Sequence, residues 1–78
     1  MTLQYTYHGP AVLSAASMAK IEQRFRSALS DPDTAFSMRS RSGLTAAIAM
    51  TILTEIGRPF VLQSMPGFGY AVTSEAAK

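Results

Sequence analysis

The stretch Phe60–Thr73, FVLQSMPGFGYAVT, constrains the fold more than any other part of the chain. Two short runs of strand-forming residues meet at Pro66-Gly67, a pair suited to positions i+1 and i+2 of a type II turn. The spacing predicts an antiparallel hairpin with strands over Phe60–Met65 and Gly69–Thr73. Phe68 and Tyr70 stand two residues apart, and a strand presents residues so spaced on one face.

Upstream, the apolar period switches between two and 3.6. Leu3, Tyr5 and Tyr7 alternate with Gln4, Thr6 and His8, the pattern of a half-buried strand, and Gly9-Pro10 ends it. Met18, Ile21, Phe25, Ala28 and Leu29 recur at helical spacing, with Ser14 or Ser17 as the N-cap. Glu22 and Arg26 form an i,i+4 pair in the favourable order. Asp31-Pro32-Asp33 stops this helix, because a residue before proline is pushed out of the helical region. Thr34–Arg41 alternates again, with Phe36 and Met38 on one face and Ser37, Arg39 and Arg41 on the other. Ser42-Gly43 leads into a second helix, Leu44–Ile56, with Gly57 as its left-handed terminator and Pro59 beyond. Ile48, Ala49, Ile52, Leu53 and Ile56 are its expected core face. Its other side, Ala47, Met50, Thr51, Thr54 and Glu55, carries a single charge. Residues 74–78 are expected to form a flexible tail.

The order is therefore β-α-β-α-β-β. Every strand is half apolar and both helices carry an apolar stripe. The economical arrangement is a single α+β domain, a two-layer sandwich with both helices on one face of a small sheet that ends in a β-hairpin.

Composition then narrows the function. The chain has 78 residues, no cysteine and one histidine, which excludes disulfide staples and thiolate zinc sites. A chain this short buries only about 60–65% of its unfolded surface. Charged residues are 15% of the chain, against a usual ~25%, and a weakly charged surface favours association, including a homodimer. The longest apolar run, Leu44–Leu53, falls far short of the ~20 residues that span a bilayer. With no basic leader at the N-terminus, the expectation is a soluble, cytoplasmic protein without a membrane partner.

Catalysis finds little support. His8 is the sole candidate base, sits at a strand end and has no serine motif near it. Asp31 and Asp33 flank Pro32 in ordinary turn chemistry, and nothing places Glu22 and Glu55 as a hydrolytic pair. No catalytic, cofactor-binding or metal-ligating residue is assigned. Arg39, Arg41, Ser42 and Gly43 set two arginines before a Ser-Gly helix entry, an arrangement that suits an anion. The plainer reading is an N-cap with solvated arginines. Gly67–Val72 resembles, over six residues, the aromatic RNP1 pattern of RNA-recognition motifs, but Pro66 stands where Lys or Arg belongs and Ala71 intrudes before the valine. That family is not assigned.

The expectation is a non-enzymatic regulatory or inhibitory protein that docks on a larger protein partner. Small inhibitors of phage and mobile elements supply an analogy of size alone. Its expected contact set is Met50, Thr51 and Thr54 on the second helix with Met65, Phe68 and Tyr70 on the hairpin. The alternative is a nucleic-acid-binding regulator that uses Arg39, Arg41, Ser42 and Arg58, together with Lys20, Arg24 and a stacking Phe68 or Tyr70.

Overall fold

A computed structural model describes residues 2–10 and 12–76. Six elements follow in the expected order: β1 (Thr2–Tyr7), α1 (Ala15–Leu29), β2 (Ala35–Ser40), α2 (Gly43–Glu55), β3 (Val61–Met65) and β4 (Gly69–Ser74). The strands form one mixed sheet in the order β1-β2-β4-β3. β1 runs parallel to β2, and β4 runs antiparallel to both of its neighbours. The protein is an α+β two-layer sandwich.

Register ties the strands into rows. Tyr5, Met38, Val72 and Leu62 lie side by side across the whole sheet. This row faces the helices, and so does Tyr7–Ser40–Tyr70–Ser64. Strand alternation sends Thr6, Arg39, Ala71 and Gln63 to the opposite face, which no helix covers.

Local chemistry fixes each helix. The Ser14 side chain accepts from the Ser17 amide at 3.2 Å and so caps α1. Ser42 caps α2 by accepting from the Thr45 amide. At the far end of α2, the Gly57 amide donates to the Thr54 carbonyl and the Arg58 amide to the Leu53 carbonyl. That paired bonding is a Schellman ending, and the residue between needs a positive φ; Gly57 has φ 76°. The hairpin turn closes as expected, with the Phe68 amide donating to the Met65 carbonyl at 3.0 Å.

The core lies between α1, α2 and the first three strands of the sheet order. Phe25 is sealed between the layers and meets Tyr5 and Phe36 edge to face, at centroid distances of 5.4 and 5.3 Å. Ile21, Leu29, Ile48, Ala49, Ile52, Leu53, Met38 and Val72 complete it. Each large apolar side chain buried here contributes about 1.5–3 kcal/mol. Gly69 lets β4 begin hard against the end of β2: a Cβ there would lie 2.3 Å from the Ser40 carbonyl oxygen.

Four expectations change. Ser74 is not tail but the last residue of β4, buried, with its hydroxyl donating to the Pro59 carbonyl at 2.7 Å; the tail's last two residues, 77 and 78, lie outside the described residues. Arg26 passes over Glu22 and pairs instead with Glu55 across the two helices at 2.7 Å. Ile56 is 44% exposed and does not join the core, because the helix ends there and turns away. Phe68 and Tyr70 do not share one setting, since Phe68 stays in the turn while Tyr70 enters β4.

Candidate functional site

The sheet is covered unevenly. α2 packs chiefly on β4 and β2, and α1 leans over β1 through Phe25 and Tyr5. β3, at the opposite edge, receives no such cover. Along the row Tyr5–Met38–Val72–Leu62, the two central side chains are sealed and Leu62 is 45% exposed. In the next row Ser40 is sealed and Tyr70 is 37% exposed.

Between α2 and this bare flank runs an apolar trench of about 230 Å³, lined by Gly43, Ala46, Met50, Leu62 and Tyr70. The composition of α2 explains its walls. The helix is apolar around most of its circumference and carries one charge, Glu55, as befits a helix covered on several sides, yet only one side meets the sheet and another meets α1. Thr51 and Thr54 donate their hydroxyls to the Ala47 and Met50 carbonyls, each at 2.8 Å. Their polar atoms are thereby spent within the helix.

The expected contact set divides accordingly. Met50 and Tyr70 meet in the trench. Thr51 lines a different hollow between the helices, with Leu44, Ala47, Glu22 and Arg26, and Thr54 is exposed. Met65 alternates with Ser64 and so turns to the face away from the helices. Phe68 is half-buried, and the Arg41 guanidinium lies 5.5 Å above its ring centroid.

The basic set divides too. Arg39 is exposed on the uncovered face, beside a polar hollow of about 270 Å³ lined with Gln4, Thr6 and Ser37. Arg41 is exposed at the end of β2. Ser42 is buried as a helix cap and Arg58 is 6% exposed, so neither is presented to an outside anion. The Arg58 guanidinium donates to the Thr34, Asp31 and Pro32 carbonyls. It clasps the α1–β2 connection to the end of α2, and the carbonyl dipoles stand in for a counter-ion. Arg24 lies over the Tyr5 ring at 4.9 Å, at the other edge of the sheet.

Asp31, Arg26 and Glu55 serve the fold. The Asp31 side chain accepts from the Asp33 amide at 3.0 Å, an Asx turn. The hydrogen bond from Arg26, and then its charge, hold the Glu55 carboxyl below the usual carboxylate range. No three metal-ligating side chains cluster among the described residues, and no helix among them is long and apolar enough to cross a membrane. Leu62, the centre of the trench floor, was not singled out from the sequence, because alternation marks it as an ordinary inward residue. The run Phe60-Val61-Leu62, apolar on both strand faces, was the available signal. No family model, no curated protein and no solved structure matches this chain.

Proposed function

We propose that this is a non-catalytic regulatory or inhibitory protein that docks on a larger protein through the trench between α2 and the β3–β4 hairpin. The observation that carries this reading is the unfinished helix layer: an apolar α2 and a bare Leu62 flank a groove sized for a few partner side chains. Met50 suits such a surface because its flexible thioether adapts to irregular partners, and Tyr70 adds a rigid ring with a polar tip. A cytoplasmic setting belongs to the same proposal.

A larger partner fits better than a second copy of the chain. Pairing two β3 edges would set a second bare strand beside the first and widen the trench floor by about 5 Å. Leu62 would then lie in the middle of a broader uncovered strip. A partner helix or loop laid against α2 covers it directly.

The native mass of the assembly tests this. Expressed in its own cells, the chain is expected to elute as part of a larger complex, and Leu62→Gln is expected to return it to the size of the free chain with its circular dichroism unchanged. Elution of the wild type alone, or at the mass of two copies, contradicts the proposal.

A further inference from the structure

The face of the sheet turned away from the helices has no part in the trench. We infer that this face, with Arg39 and Arg41 at the end of β2 and Phe68 in the β3–β4 turn beside them, binds single-stranded nucleic acid. Its two central rows are Thr6–Arg39–Ala71–Gln63 and Gln4–Ser37–Thr73–Val61. They form a shallow polar surface with one cation and no carboxylate. The Cα atoms of Arg39 and Arg41 are no more than about 7 Å apart, the reach of two residues of extended chain, a spacing that suits neighbouring phosphates of one strand.

Charge is partitioned to match. Asp31, Asp33, Glu55 and Glu75 outnumber Arg26 and Arg58 at the end of the molecule where β2 begins, α2 finishes and β4 finishes. Arg39 and Arg41 fall towards the other end, where Lys20 also borders the Tyr7–Pro10 hollow. Neither Arg39 nor Arg41 takes part in the Arg26–Glu55 ion pair. A polyanion is the complementary occupant.

Shape selects a single strand over a duplex. α2 carries no Lys, Arg, Asn or Gln with which to read a groove. The Arg41–Phe68 stack instead offers an aromatic ring and a guanidinium plane to an unstacked base.

Fluorescence anisotropy of labelled dT12, titrated with the full chain at several salt concentrations, tests the inference. Saturable binding is expected, with a log–log salt slope of about −1.4 for two phosphate contacts. Arg39→Ala with Arg41→Ala should weaken binding roughly ten-fold or more at low salt and flatten that slope. Arg39→Lys with Arg41→Lys should keep the slope, because the charge survives. Phe68→Ala should weaken binding about five-fold or more without changing the slope. Leu62→Gln, on the other side of the sheet, should bind dT12 like the wild type, which separates this inference from the trench. No binding at about 100 µM protein, equal affinity for a duplex of the same length or for polyglutamate, or full binding by the double alanine variant would each overturn it.

Discussion

The two flanks of this sheet are built from similar residues and finished differently. On the β1–β2 flank, Tyr5, Phe25 and Phe36 interlock edge to face beneath α1. On the β3 flank, Leu62 and Tyr70 occupy corresponding rows with nothing across from them but the side of α2. Apolar residues at inward positions of a strand are therefore not equally committed to the core. The committed ones hold the fold together, and the uncommitted ones are available to a partner.

Substitutions ought to separate the flanks sharply. Phe25→Ala removes a sealed ring with two aromatic neighbours and is expected to cost about 3–5 kcal/mol, enough to unfold much of so small a domain. Leu62→Ala is expected to cost less than about 0.5 kcal/mol. Chemical denaturation of both variants makes the comparison, and equal losses would break it.

Arg58→Ala should come next, at about 3 kcal/mol, because three carbonyls of the α1–β2 connection lose their donor together. Arg58→Lys should recover little of this, since an ammonium cannot reproduce the guanidinium fork. Thermal midpoints of the two variants check the point, and a wild-type midpoint for Arg58→Ala would show that the clasp is idle.

A smaller effect of opposite sign is expected at Thr45. Its hydroxyl is buried and makes no hydrogen bond, so Thr45→Val should stabilise the domain by up to about 1 kcal/mol. Equilibrium unfolding would show this as a raised midpoint with an unchanged slope. A lowered midpoint would reveal a partner for that hydroxyl.

The smallest effect belongs to Glu55. Its carboxyl titrates below the ordinary range because Arg26 hydrogen-bonds and attracts it. A carboxylate depressed in the folded state contributes stability above its unfolded pKa and loses it as pH falls through the folded value. Glu55→Gln should therefore lower the midpoint slightly at neutral pH and low salt, and not at all once the medium is acid enough to protonate Glu55. Both side chains are about half exposed, so added salt should erase most of the difference.

Much of the architecture was legible in the residues. The switch between period-two and period-3.6 patterns located all six elements, and Ser14, Ser42, Gly57 and Pro66-Gly67 marked their ends through local hydrogen bonding. Strand order was not legible, because it depends on which edges remain free once the helices have packed. The trench depends on that order. Alternation alone does not distinguish Leu62 from Val72, although β4 lies inside the sheet and β3 at its rim. Arg58 was misread for a similar reason: a basic residue beside Pro59 looks solvated until the α1–β2 connection folds back over it. Arg39 was legible as an exposed cation because alternation with Phe36 and Met38 already put it on the far face.

Placing a photo-crosslinking amino acid at position 62, and in a control chain at position 23 on the exposed side of α1, tests the docking surface most directly. Irradiation in the native cells is expected to join the position-62 chain to one larger protein, with an adduct that Met50→Gln diminishes, and to leave the position-23 chain unlinked. An adduct of twice the chain's own mass, equal labelling from both positions, or no adduct from position 62 would contradict the account.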